Sequence, residues 1–153
     1  MSRWFLVLAA VVGSCAANAP LVQEPLLPVH FRRTMCFGPC AAFTADFQAD
    51  GSARLALVRG AAGTPLENMA PGSYRGTASP EAFESVARLA AQAAYWELDA
   101  SYDDPRIMDL PAVETTLRGH TVYNRHGGPD LKALYAALDS VVFGVNWTPD
   151  LAH

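Results

Sequence analysis

The 153-residue chain has few basic residues, few cysteines and no long apolar run, and each shortage closes off a class of function. Lysine and arginine together number 11 against 15 acidic residues, and the net charge of -4 is spread along the chain rather than gathered into blocks. The basic footprint of a nucleic-acid binder is therefore missing. No apolar stretch reaches the roughly 20 residues that a membrane-spanning helix needs. There is no G-x-S-x-G, H-E-x-x-H, P-loop or dinucleotide fingerprint, and no C-x-x-C-H for haem attachment. Nothing joins a nucleophile to its base, so no catalytic residue, cofactor or metal is assigned, and the expectation leans away from an enzyme. What the chain does have is apolar material: 51% hydrophobic with 17% charged residues is enough for one ordinary domain with a real core.

The first apolar run bears on the compartment. "MSRWFLVLAAVVGSC" carries one positive charge at Arg3, an apolar stretch from Trp4 to Val12 and then small residues, the layout of a secretory signal. In "VVGSC", Val12, Gly13 and Ser14 precede Cys15, an arrangement that resembles the lipobox of bacterial lipoproteins. The alternative is cleavage after Ala17–Ala19, but Pro20 would then follow the cut, where ordinary signal peptidase tolerates it poorly. The lipobox also accounts for the one cysteine without a nearby partner. The expectation is residues 1–14 as signal, an acylated Cys15 with an extended Pro-rich tether to residue 28, a single domain over 29–147 and a tail over 148–153. Such a protein faces the periplasm on a lipid anchor in the bacterial outer membrane. The alternative is a soluble periplasmic or secreted form.

Within the domain, "VHFRRTM" alternates Val29, Phe31 and Met35 against His30, Arg32 and Thr34, and Arg33 is the exception on the apolar side. "AFTADFQADGSARLALV" predicts a β-hairpin: Phe43, Ala45, Phe47 and Ala49 share a face, and Asp50-Gly51 supplies a two-residue turn with positive φ. "SYRGTAS" predicts a fourth, short strand. "SPEAFESVARLAAQAAYWEL" predicts a helix with Ser79 as N-cap, Pro80 at the first position and Glu81 in the first turn, its apolar face carrying Phe83, Val86, Ala90, Ala93 and Trp96. "AVETTLRGHTVYNRHG" predicts two short strands around Gly119-His120. A second amphipathic helix follows, with Leu131, Leu134, Tyr135, Leu138, Val141 and Val142 on one side. The order ββββαββα implies an α+β two-layer sandwich, a mainly antiparallel sheet of about five or six strands with two helices on one face.

Three groups of residues bear on chemistry. Cys36 and Cys40 in "TMCFGPCAAF" stand behind an export signal, where neighbouring thiols are oxidised, and three intervening residues suit a local disulfide. The preferred reading is a staple pinning the turn into the hairpin. A redox-active pair and half of a zinc set, completed by His120 and His126, are the alternatives. For the histidines the plainer expectation is His120 in a hairpin turn and His126 in an exposed loop. "SYDDPRIMDLPAVE" gathers Asp103, Asp104, Asp109 and Glu114, from which a cation site or an acid/base pair could be drawn, although solvated turn carboxylates are far commoner.

Taken together, "RTMCFGPCAAF" resembles the Arg-x-x-Cys-Phe-Gly-x-Cys-Pro-x-Tyr opening of an uncharacterised bacterial family, domain of unknown function 6438. "DGSARLAL" and "DLPAVETTL" extend the resemblance over about His30 to Trp147. Ala41 and Phe43 stand where that pattern has proline and tyrosine. The resemblance implies one compact domain, often exported or lipid-anchored, with no known activity. The expected role is a non-catalytic module that binds an envelope protein or small ligand, and the alternative is a thiol-redox or metal-dependent enzyme using Cys36 and Cys40 or the Asp103–Glu114 loop.

Overall fold

The computed structural model describes residues 26–107 and 109–151. The expected signal, Cys15 and most of the expected tether lie outside the described residues. The strands are β1 (Val29–Arg33), β2 (Ala42–Phe47), β3 (Ser52–Arg59), β4 (Gly72–Thr77), β5 (Ser101–Tyr102), β6 (Val113–Leu117), β7 (His120–Asn124) and β8 (Thr148–Pro149). The helices are α1 (Glu84–Gln92), between β4 and β5, and α2 (Lys132–Gly144), between β7 and β8. One sheet contains all eight strands in the order β5-β7-β6-β1-β2-β3-β4-β8, antiparallel throughout except where β5 runs parallel to β7. Among the described residues, no helix is long and apolar enough to cross a membrane.

The α+β class and mainly antiparallel sheet agree with the expectation, but the count of five or six strands and the order ββββαββα do not. The two additional strands, β5 and β8, are two residues each and close the two edges of the sheet. A two-residue strand leaves no alternation to read. Pro149 is tolerated in β8 because an edge strand can spare its N–H.

Strand alternation sets three rows of side chains against the helices. Gly76, Ala53, Phe47, Val29, Leu117 and His120 form one, and Tyr74, Leu55, Ala45, Phe31, Thr115 and Val122 the next. The third is Gly72, Leu57, Phe43, Arg33, Val113 and Asn124, at the end of the sheet where β1 runs into the cysteine loop. Leu134, Leu138, Val141 and Val142 of α2, with Phe83, Val86 and Ala90 around α1, are buried over these rows. The opposite face is polar, with His30, Arg32, Asp46, Arg54, Arg75 and Thr121 turned to solvent, as is usual for an antiparallel sheet covered on one side. The core extends beyond the regular strands: Leu26 is buried in it, and Leu66 plugs it from the long loop after β3.

Local details differ from the sequence expectations for identifiable reasons. The β2–β3 connection is a three-residue loop: the Gln48 amide donates to the Ser52 carbonyl and the Gly51 amide to the Gln48 carbonyl. Only Gly51 takes positive φ, at 83°, while the Asp50 carboxylate accepts from the Ser52 amide at 2.9 Å. This is the turn that places a glycine bulge after an ordinary type I bend, and it leaves Ala49 exposed. The β6–β7 hairpin turns through Arg118 and Gly119, both with positive φ, so His120 opens a strand instead of occupying the turn. Residues 80–97 are not one helix. Pro80–Phe83 is a 3-10 turn, α1 stops at Gln92, Ala94 is left-handed, and Tyr95–Glu97 is a second 3-10 turn. Ser79 is extended and makes no side-chain cap; it bonds to Glu81, whose carboxyl it holds below the ordinary range.

The break after α1 has a packing cause. It swings Tyr95 into the core, where its hydroxyl donates to the Thr115 carbonyl at 2.8 Å and lies 2.7 Å from the Thr115 hydroxyl. A straight helix would carry that ring away from β6. Burial pushes the Tyr95 phenol up to about 12.

Candidate functional site

The chemistry of the molecule collects at the end of the sheet where β1 leaves the core. Cys36 and Cys40 are joined as a disulfide with Cα atoms 6.1 Å apart, closing the loop between β1 and β2. The guanidinium of Arg59, the last residue of β3, lies over this loop. Its Nε donates to the Cys40 carbonyl at 3.1 Å and its Nη2 to the Cys36 carbonyl at 3.3 Å. The same Nη2 is 3.5 Å from Cys40 Sγ and 4.0 Å from Cys36 Sγ. The Gly38 amide donates to Cys36 Sγ at 3.2 Å.

Each cysteine borders a different hollow. Cys40 lines a cleft of about 380 Å³ between the end of the sheet and α2, with Arg33, Asp139 and Phe143. Cys36 lines a more open hollow of about 410 Å³ with Met35, Phe37, Asp109 and Leu110. Phe37, at the loop tip, is 93% exposed, and Met35 and Leu110 are 58% and 42% exposed. These three apolar side chains surround one hollow at one end of the protein, beside a disulfide.

The cleft is built on the residue that breaks the alternation of β1. Arg33 points toward the helices because its strand position demands it, and Asp139 of α2 receives it with two parallel bonds, Nε to Oδ1 at 2.7 Å and Nη2 to Oδ2 at 2.6 Å. The guanidinium also lies 5.3 Å from the Phe31 ring centroid and 5.9 Å from that of Tyr135. Burial raises the Tyr135 phenol, opposed by Asn124 and by the charge of Arg33. A charged pair is thus fixed in the floor of the cleft.

The residues singled out from the sequence are dispersed. His120 Nε2 lies 3.1 Å from the Leu98 carbonyl, and its ring meets Tyr95 edge-on, while His126 is exposed in the bend after β7. Neither is joined to the cysteines, whose sulfurs are bonded to each other, and no group of three or more His, Cys, Asp or Glu side chains suited to a metal occurs among the described residues. Asp103 pairs with Arg125 at 3.5 Å and Asp104 with Arg106 at 2.6 Å, and the Arg106 guanidinium holds the Asp104 carboxyl below its usual range. Glu114 is on the open face beside His30 and Arg32. Of the four carboxylates only Asp109 reaches the cysteine loop. Arg59, Asp139 and Phe37 were not legible as site residues. The signals for them are an arginine on the core parity of β3, an acid beside Leu138 on the apolar side of α2, and an apolar residue inside a three-residue cysteine interval.

The fold and this end of it define a small α+β domain with a single half-covered antiparallel sheet and a disulfide-closed loop between two hollows. The chain belongs to the family described as Domain of unknown function (DUF6438), whose model matches residues 28–142. No curated protein matches the chain, and no solved structure does.

Proposed function

We propose that this is an exported domain, held to the bacterial envelope through an acylated Cys15, that binds an envelope protein with the end of the sheet around Phe37. What carries the reading is the 93% exposure of Phe37 at the tip of a covalently closed loop, next to exposed Met35 and Leu110. Single exposed apolar residues are ordinary. Three around one hollow form the kind of aromatic and aliphatic cluster that anchors an interface. The ring closure reduces the loop's freedom before binding, so less order is lost when a partner docks. The partner presents an apolar side chain to the hollow.

A photo-crosslinking residue at position 37 in intact cells tests this, with position 54 on the open face as the control. One discrete adduct from position 37, absent from position 54 and abolished by Leu110→Asp, is the expected result. The same adduct from both positions, or from neither, overturns it. The mass of the N-terminal peptide tests the anchor separately: acyl chains on Cys15 support it, and a mature chain beginning at Pro20 removes it.

A further inference from the structure

We infer that the Cys36–Cys40 disulfide is an exchange site: it accepts the two electrons of a dithiol on a partner polypeptide, and Arg59 stabilises the thiolate that leaves. A staple needs only its two sulfurs, yet here a guanidinium held by two backbone carbonyls is fixed 3.5 Å from Cys40 Sγ and 4.0 Å from Cys36 Sγ. Among the described residues no ion pair joins Arg59 to a carboxylate, whereas Arg33, for example, is held by Asp139. An unneutralised cation beside a sulfur favours thiolate over thiol, and a disulfide whose reduced form is stabilised is a better oxidant. The Gly38 amide on Cys36 Sγ acts in the same direction.

The two sulfurs are not equivalent. Cys36 borders the hollow ringed by Met35, Phe37 and Leu110, and Cys40 lies closer to Arg59. An incoming thiolate therefore attacks Cys36 Sγ. The new bond joins the partner's sulfur to Cys36, the Cys36–Cys40 bond breaks, and its electron pair leaves on Cys40 as a thiolate facing Arg59. The partner's second thiolate then attacks the partner's own sulfur in the mixed disulfide. Cys36 is released, and the two thiol protons of the partner end on Cys36 and Cys40. The sum is a partner dithiol oxidised to a disulfide and this protein's disulfide reduced to a dithiol. The proposal relies on the docking reading only for the choice of partner, a dithiol flanked by apolar side chains. The exchange itself depends on the disulfide and Arg59.

The test is equilibration of the purified domain with glutathione redox buffers, reading the fraction of Cys36–Cys40 reduced. The expected result is measurable reduction across the series, with Arg59→Gln harder to reduce by about tenfold in the equilibrium constant, the equivalent of about 30 mV for a two-electron couple. Arg59→Lys keeps the charge and recovers most of that loss. A disulfide that stays oxidised throughout the series, or an Arg59→Gln equilibrium equal to the wild type, overturns the inference. Should Arg59→Gln fail to fold, the pH dependence of alkylation of the reduced wild-type protein decides. Thiol titration below the ordinary value of about 8.5 supports Arg59 stabilisation, and titration at or above it overturns it. A second arm separates this site from the docking reading. A Cys-x-x-Cys peptide with leucine flanks is oxidised faster than one with serine flanks, and Phe37→Ser removes the difference. Equal rates for the two peptides reject apolar docking while leaving the glutathione result to judge the exchange.

Discussion

Arg33 at the end of β1 and Asp139 in α2, 106 residues apart, meet through two parallel charge-assisted bonds of 2.7 and 2.6 Å at the floor of the cleft. Both side chains are about three-quarters withdrawn from water. Removing one partner strands the other, which costs ~3–5 kcal/mol for fully buried pairs and less for a pair that retains some solvent. Asp139→Asn is expected to lower stability by about 2 kcal/mol in urea unfolding. The double variant Arg33→Met, Asp139→Leu recovers most of the loss, because apolar side chains of similar volume need no partner. A double-variant loss equal to the sum of the Arg33→Met and Asp139→Leu single losses would show that the pair is not coupled.

Tyr95 provides a pH test. Its phenol is raised from 10.0 to about 12, chiefly by burial. The folded state therefore holds the proton at pH values where the unfolded chain has released it. Its stabilising contribution is complete below about 10 and is lost as pH rises through about 12. Stability should fall over that window with a slope that Tyr95→Phe reduces, read by thermal unfolding together with phenolate absorbance. At neutral pH the same variant costs about 1–3 kcal/mol, since the carbonyl of Thr115 loses its donor in a buried place.

Gly60 has no room for a side chain. A Cβ there would run into the backbone carbonyl of Leu66, and backbone cannot swing aside as a flexible side chain can. Gly60→Ala is expected to dislodge the loop that carries Leu66 into the core. The loss is about 2 kcal/mol or more, in the range of overpacking, and protease cleavage within residues 61–70 should rise with it. Gly63→Ala meets no atom within 4 Å, but its φ of 75° adds only the modest strain of a left-handed alanine. A Gly60 variant no worse than the Gly63 variant would contradict the close approach.

The disulfide closes only a short loop. The chain-entropy relation gives about 2 kcal/mol for a ring of this size. Cys36→Ser with Cys40→Ser should lower stability by that amount and leave the far-ultraviolet circular dichroism unchanged. A loss much beyond it would mean that Arg59 and the cysteine loop hold more of the β1–β2 end than the ring closure does.

The parts legible in the sequence are those with a short-range period. The β2–β3 hairpin, β4, the β6–β7 pair and α2 were foreseen because each carries enough residues for an alternation or a helical stripe to stand out. The edges β5 and β8 were not, since two residues hold no period and pair only because the neighbouring strands are already in place. The division of residues 80–97 was likewise hidden: alanine-rich helical spacing runs on through Ala93 and Ala94, and only the hydrogen bonds Tyr95 gains at Thr115 favour breaking it.

The candidate site divides in the same way. The cysteine interval and the misplaced charge at Arg33 could be read from the chain, because each is a local departure from what a strand tolerates. Asp139 opposite Arg33, Arg59 against the sulfurs and Asp109 beside Cys36 are separated by 106, 19 and 73 residues from the groups they join. By itself the sequence determined the class of fold, the faces of its longer elements and the presence of a pinned loop, all consequences of local periodicity. Only the tertiary structure decided that a guanidinium, two hollows and three exposed apolar side chains meet at that loop, because contacts across the sheet depend on strand order and register, which no short-range pattern encodes.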